Sequence, residues 1–321
     1  IAKKIIVLNK GEIVEFGSSN QIFNNPKKLY TKLLLNSRPP KNIRPVRLPT
    51  RENPISNSLI SKKERIQKHH NLYQYDPILK IKNLEFSYDN KKILNNVNFN
   101  LFKGETLGLI GESGSGKSTI AKAILNLNSF DKGEIIYNEK NIKVYNNKEF
   151  RRKIQLVFQD PFSSLNPEIS IGYSIMEPMI AHKLYKTKKE STEKVVSLLK
   201  QVNLSKSDFN KFPHQFSGGQ RQRIVIARAL ALNPEVLICD ESVSALDVSI
   251  QAQILNLLNH LKEKHSITVL FISHDLSVVK YMSDRIVILN KGVIVEVNET
   301  DQLFSDPNKD YTKKLLLAND F

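Results

Sequence analysis

The chain has 321 residues, 40% of them hydrophobic and 25% charged, with a formal net charge of +16 and a single cysteine. This is ordinary globular composition at a length that holds one large core or two modest ones, which excludes a fibre or a disordered polymer. Cys239 alone excludes an intramolecular disulfide and a cysteine-built metal cluster and suits a reducing cytosol, and apolar runs such as Val236–Cys239 and Val269–Ile272 fall far short of the ~18 residues a membrane span needs.

The first 36 residues repeat the last 36. At a fixed offset of 281, the stretch from Ile5 matches the stretch from Ile286 at 17 of 31 positions. Each copy reads as strand, Asn-Lys-Gly turn, strand and short helix, the helix announced by Asn-Pro or Asp-Pro and carrying Tyr-Thr-Lys. Two strands do not bury a core of their own. We therefore expect residues 1–36 to be the last piece of a preceding domain of the same kind as the main one, in a tandem protein or a truncated gene product. The alternative is an N-terminal extension that pairs with the main sheet.

Residues 37–76 carry Pro39, Pro40, Pro45, Pro49 and Pro54 among basic, Asn and Ser residues without a sustained apolar period, and are expected to be a linker. They hold nine Lys or Arg against three acids, and residues 1–36 add six Lys against two Glu; only +6 remains for the last 245 residues. The positive charge is thus partly a property of the linker rather than of a dedicated nucleic-acid surface.

Residues 77–321 form the main domain. Alternating patterns in LKIKNLEFSY and NVNFNLF predict half-buried antiparallel strands, and Thr106–Ile110 a strand feeding a glycine-rich loop. Ile154–Asp160 reads as a buried strand ending in polar residues. A mainly helical stretch, about 161–232, includes a helix over Thr187–Val202. Then come a strand at Val236–Cys239, a helix whose Ile250, Ile254, Leu257, Leu258 and Leu261 share one face, the strand ITVLFIS, a short helix from Leu276 and the repeated end unit, about 291–321. This order predicts an α/β fold: a phosphate-loop core with a mainly parallel sheet, an antiparallel β subdomain and a helical insertion.

The loop Gly111-Glu112-Ser113-Gly114-Ser115-Gly116-Lys117-Ser118-Thr119 fits G-x-x-x-x-G-K-[ST]. Its glycines let backbone N–H groups turn onto phosphates, Lys117 reaches the β- and γ-phosphates, Ser118 offers a hydroxyl to Mg²⁺, and the following helix adds its positive end. About 130 residues on, VLICDE ends an apolar strand in Asp240 and Glu241. The order fits a Mg²⁺-binding aspartate followed by a glutamate that polarises the attacking water, although a helix cap after a core strand reads the same way in isolation.

FSGGQRQR, Phe216–Arg223, decides among phosphate-loop enzymes, and here the sequence resembles the ATP-binding cassette (ABC) ATPases. The resemblance covers Ile78 to Phe321. It implies that Ser217, Gly218, Gly219 and Gln220 close on ATP held by a second cassette in a head-to-tail dimer. It also implies that Tyr88 stacks on adenine, unless it is a strand core residue, and that Gln159 contacts Mg²⁺ and water and senses the membrane partner. Ser244-Ala245-Leu246-Asp247 would cross to the opposite site, and His274 would contact the γ-phosphate and orient Glu241. The implied catalytic set is Glu241, His274, Lys117 and Gln159, the metal set Ser118, Gln159 and Asp240, and the cofactors ATP and Mg²⁺. Ser242-Val243 departs from the Pro-Thr of many relatives at positions without assigned chemistry.

Within that family, DPFSSLNP at Asp160–Pro167, SALDVSIQAQ at Ser244–Gln253 and the terminal Tyr311-Thr312-Lys313 unit look like the oligopeptide and dipeptide importer ATPases. The resemblance implies a peripheral protein on the cytoplasmic face of the inner membrane, working with a second cassette and two transmembrane permease subunits. An extracytoplasmic solute-binding protein would be engaged indirectly, and nucleic acid not at all. Two other readings stay open on sequence alone: a non-transport cassette ATPase acting on nucleic acid or ribosomes, and a nucleotide-binding remnant with a regulatory role.

Overall fold

In both copies of the repeat the Lys-Gly pair takes positive φ, 52° and 83° at Lys10 and Gly11, 45° and 77° at Lys291 and Gly292, the geometry of a tight hairpin turn whose twist matches its strands. In the computed structural model, which describes residues 2–40, 43–50, 53–54, 58–89 and 91–318, the first copy comprises β1 (Lys4–Asn9), β2 (Glu12–Ser18), α1 (Ser19–Asn24) and α2 (Leu29–Asn36). The hairpin registers of the two copies correspond residue for residue, including the irregularity after Val7 and after Ile288. So does a polar knot. Glu15 accepts the backbone N–H groups of Lys27 and Lys28, and Glu296 those of Asn308 and Lys309 as well as the Thr312 hydroxyl. β1 and β2 form a two-stranded sheet of their own, so the alternative reading, in which residues 1–36 pair with the main sheet, does not hold among the described residues.

Part of the expected linker is ordered; Lys41, Asn42, Arg51, Glu52 and residues 55–57 lie outside the described residues. α3 (Lys62–Tyr73) opens with a capping box in which Ser61 and Glu64 satisfy each other's backbone N–H groups. No residue of α3 is buried. It is held by charge: Arg65 pairs with Asp301, Lys68 with Asp284, and the Tyr73 hydroxyl donates to Glu105.

The main domain follows in chain order. β3 (Leu79–Tyr88) and β4 (Lys91–Leu101) precede β5 (Thr106–Ile110) and α4 (Lys117–Ile124). β6 (Lys132–Tyr137), β7 (Lys140–Asn141), α5 (Asn147–Lys153) and β8 (Ile154–Val157) come next. The helical part is α6 (Ile171–Ala181), α7 (Lys188–Gln201) and α8 (Gly218–Leu230). It is followed by β9 (Val236–Asp240), α9 (Val248–His265), β10 (Thr268–Ile272) and α10 (Leu276–Met282). The chain closes with β11 (Arg285–Asn290), β12 (Val293–Glu299), α11 (Thr300–Ser305) and α12 (Asp310–Ala318). The central sheet runs β12-β11-β5-β10-β9-β8, parallel except for β12; a second sheet, β4-β3-β6-β7, is antiparallel.

Both faces of the central sheet are covered, as a parallel sheet requires. Leu237, Cys239, Val269, Phe271, Ile286 and Ile288 face a core built with α6–α10, whereas Ile238, Leu270, Ile272, Val287 and Leu289 face a core shared with α4 and the antiparallel sheet. One strand is shorter than its sequence suggests. β8 is an edge strand that stops at Val157, and Phe158, Gln159 and Asp160 stand exposed beyond it because no neighbour pairs with them.

Candidate functional site

The carboxyl ends of β5, β9 and β10 open on one side of the sheet, and the loops that leave them build the site. Between β5 and α4, Gly114 and Gly116 take φ of 77° and 107°, so the loop turns as only glycine does easily. A Cβ at Gly111 would lie 2.2 Å from the Leu289 carbonyl oxygen, and the Gly292 N–H donates to the Ser115 carbonyl at 3.0 Å. The end unit therefore braces the phosphate loop. The sequence reading missed this role, although the repetition of Asn-Lys-Gly was its signal.

Lys117 curls over the loop, its Nζ donating to the carbonyls of Gly111 (2.8 Å) and Glu112 (2.9 Å). Burial lowers its pKa, against the pull of Glu241 and Asp240. Burial also raises the pKa of Asp240, helped by the charge of Glu241 and opposed by a hydrogen bond from Ser118. Asp240 Oδ1 and Ser115 Oγ are buried without a hydrogen-bond partner. A carboxylate and a hydroxyl joined to each other, with one oxygen left over, are the donor set of a Mg²⁺ site beside a phosphate. The residues present thus fit both Mg²⁺ and ATP.

Glu241 follows β9 with φ of 47°, a left-handed conformation uncommon for a residue with a side chain, held by its N–H bonding to the Ile272 carbonyl at 2.9 Å. Its Oε2 lies 3.4 Å from His274 Nδ1, just beyond β10. The Ser244 hydroxyl donates to the Glu241 carbonyl (2.9 Å) and accepts from Gln159 Nε2 (3.4 Å), which links the loop after β8 to the carboxylate. The phosphate loop, Gln159, Asp240, Glu241 and His274 are thus neighbours in one site.

Tyr88 and the signature are not drawn into it. Tyr88 is 65% exposed at the end of β3. Ser217 caps α8 in a box with Gln220: Ser217 Oγ accepts from Gln220 N, and Gln220 Oε1 accepts from Ser217 N at 3.0 Å. Gly219 packs on α9, where a Cβ would meet Ile250 at 2.3 Å. Among the described residues no hydrogen bond joins Ser217–Gln220 to the phosphate loop.

Comparison with known proteins places this geometry among relatives. Residues 94–244 match the family model for "ABC transporter", and residues 14–58 that for "Oligopeptide/dipeptide transporter, C-terminal region". The chain is 48% identical over 251 residues to the oligopeptide transport ATP-binding protein OppF of Streptococcus pyogenes serotype M1, covering 76% of this chain and 82% of that protein. It is 43% identical over 333 aligned positions to the glutathione import ATP-binding protein GsiA of Escherichia coli O6:H1, covering 99% of this chain and 53% of that one. Among solved structures, cbiO1 from Clostridium perfringens matches with TM-score 0.66 at 27% identity, covering 76% of this chain and 96% of that one. A dimeric cassette in a post-hydrolysis state with ADP and Pi matches with TM-score 0.62 at 31% identity, covering 69% and 98%.

Proposed function

The chain belongs to the ATP-binding cassette family of transport ATPases, and on that footing we propose that it powers import of peptides or similar small solutes through partner membrane subunits. ATP is its cofactor and hydrolysis its reaction. The observation that carries the residue assignments is the meeting of Asp240, Glu241 and His274 with the phosphate loop at the ends of β5, β9 and β10. Lys117 and the loop amides of residues 112–119 hold the phosphates, and Ser118, Asp240 and Gln159 would hold Mg²⁺. When bound, that ion offsets the phosphate charge and polarises the γ-phosphoryl group. Glu241, oriented by His274, accepts a proton from the attacking water as the bond between the γ-phosphorus and the ADP oxygen breaks. Tyr88 stacks on adenine, and Ser217–Gln220 serve the ATP of another cassette.

Residues 1–36 are the end of a preceding cassette, residues 37–76 its connection and residues 77–321 the ATPase domain. The repeat and the similarity to GsiA over 99% of the chain support this division, and the match of a C-terminal-region model at residues 14–58 supports an N-terminal unit that runs on past residue 36 into the connection. The second cassette is that upstream one or another copy, the membrane partners are two permease subunits served by an extracytoplasmic receptor, and the protein sits on the cytoplasmic face. No helix among the described residues is long and apolar enough to cross a membrane.

A nucleic-acid role is not favoured, because the basic charge before residue 77 is partly matched within the protein. Arg47 pairs with Glu263, Arg65 with Asp301 and Lys68 with Asp284. The test is to capture the Glu241→Gln protein with ATP from detergent-solubilised native membranes. Two multi-span subunits are the expected companions; ribosomes or nucleic acid in their place would refute the importer reading.

A further inference from the structure

Residues 43–50 make a set of contacts that the ATP site does not use. They cross α9, between Asn256 and Glu263, and the C-terminal end of α10 as a strap. Leu48, 1% exposed, inserts into the core beneath these helices. Asn256 on α9 reads the Leu48 backbone on both sides, accepting its N–H and donating to its carbonyl, each at 2.8 Å. The Arg44 guanidinium donates to the carbonyls of Lys280 and Ser283 at the end of α10, and Arg47 pairs with Glu263 at 2.6 Å. Tyr281 completes the groove, its hydroxyl within reach of the Val46 carbonyl (3.4 Å) and of Asn256 Oδ1 (3.0 Å).

The strap has little structure of its own. One antiparallel bridge, Pro45 to Leu59, ties it to the segment before α3, through Val46 N to Ser58 O and Ile60 N to Arg44 O at 2.8 Å each. A single bridge does not order an extended segment in water, so the groove must supply the order. The groove in turn asks for specific chemistry: an extended chain in which two arginines precede one leucine, as in Arg-Pro-Val-Arg-Leu-Pro at residues 44–49. The family model for the C-terminal region of oligopeptide and dipeptide transporters runs from residue 14 through residue 58. By that boundary the strap continues the N-terminal unit, and the cassette it grips is a different one.

We propose that the groove between α9 and α10 is the receptor for this strap, and that strap and groove keep the N-terminal unit attached to the cassette in the presence or absence of ATP. The inference rests on the reading of residues 1–36 as the end of a preceding cassette, whose attachment it would then secure. Among the described residues none of the strap bonds named above reaches the phosphate loop, Asp240, Glu241 or Ser217–Gln220, so opening of an ATP-bridged interface leaves them in place.

Hydrogen exchange read by mass spectrometry on the full chain carrying Glu241→Gln, with and without Mg-ATP, tests the proposal. Residues 46–50 should be protected to the same degree in both states. Leu48→Asp should speed their exchange at least tenfold while residues 106–124 keep their protection. Should that variant fail to fold, Asn256→Ala removes both bonds to the Leu48 backbone and should speed the same amides several-fold. Unprotected strap amides in the unmodified strap, protection only with ATP, or an Asn256→Ala strap exchanging as before would each overturn the clamp. A protected strap in a native protein that neither contains nor binds a second phosphate-loop cassette would overturn only the reading of residues 1–36.

Discussion

The two copies of the end unit allow one substitution to be made twice in different surroundings. Gly11 and Gly292 occupy the same turn with nearly the same backbone, φ 83° and 77°. Alanine in the left-handed region costs roughly 1–2 kcal/mol at either position. At Gly11 that is the whole cost, because an added Cβ meets nothing within 4 Å. At Gly292 the Cβ would lie 2.0 Å from the Ile93 carbonyl oxygen and 3.1 Å from the Leu94 Cα, backbone atoms that move only with β4. Overpacking of this kind typically adds about 1–3 kcal/mol, for a total of roughly 2–5 kcal/mol. In a unit the size of the cassette this lowers the melting temperature by on the order of 10 °C. The same turn donates to the Ser115 carbonyl and accepts from Asn95 N (2.9 Å), so Gly292→Ala also displaces the phosphate loop and should weaken ATP binding. Thermal unfolding by circular dichroism and titration with a fluorescent ATP analogue measure the two effects. Gly11→Ala should leave the cassette transition and nucleotide affinity unchanged. Equal losses in the two variants, or unaltered ATP affinity in Gly292→Ala, would refute the bracing of the loop by the end unit.

Two further outcomes follow from buried charges and a third from an exposed histidine. Asp240→Asn should stabilise the nucleotide-free protein at neutral pH, since burial makes the ionised form costly and a raised carboxyl pKa means stability is lost as pH rises through it; the same variant should lose the Mg²⁺-dependent gain in ATP affinity, and calorimetry reads both. Asp284 is held well below the usual carboxylate range: burial opposes its charge, but Lys262 and Lys68 outweigh it. Its contribution is therefore present above an unfolded pKa near ~3.9 and lost as pH falls through the folded value, so the urea midpoint should drop in acid, and Asp284→Ala should flatten that drop while costing about 3–5 kcal/mol at pH 7 by leaving Lys262 buried without its partner. His274→Ala should reduce ATP turnover by roughly 10²-fold or more, measured as steady-state phosphate release, because His274 touches and orients Glu241.

The neighbours in the site were legible because each lies in a short motif at the end of a strand, and a parallel sheet brings strand ends together whatever the loops between them. Asp240, Glu241 and His274 are separated in sequence from Lys117 by more than a hundred residues, yet β5, β10 and β9 are adjacent. What escaped was structure that does not depend on apolar periodicity. α3 buries no residue and is fixed by ion pairs to charges elsewhere in the chain, so its only local sign is Ser61-Lys62-Lys63-Glu64, a capping box that follows a proline-containing stretch. Leu48 is a lone apolar residue between Arg47 and Pro49, and a single anchor has no period to detect. The sequence pattern carries β8 on to Asp160 because Phe158 reads as core, whereas that residue is exposed in the loop beyond the last paired residue. The backbone of Glu241 carried no sign of its left-handed turn, since that conformation is imposed by the bond to Ile272 across the sheet.

The fate of the repeated unit depends on what lies beside it. β11 is paired on one edge with β12 and on the other with β5, and Val287 and Leu289 are fully buried; β1 is paired with β2 alone, and the corresponding Ile6 and Leu8 are 54% and 58% exposed. The signature is incomplete in the same sense. Ser217 and Gln220 stand exposed, satisfying each other at the head of α8, while Lys117 satisfies itself on carbonyls of its own loop. Neither half supplies the other within one chain. If, as proposed, Ser217–Gln220 serve the ATP of another cassette, ATP hydrolysis per molecule should rise with protein concentration over the range in which two cassettes associate, because the Ser217 hydroxyl and the positive end of α8 would then reach the γ-phosphate only from a neighbour. Initial rates measured across a hundredfold dilution series decide it: a specific activity independent of concentration, in a protein shown by light scattering to be monomeric throughout, would mean that one chain completes the site unaided.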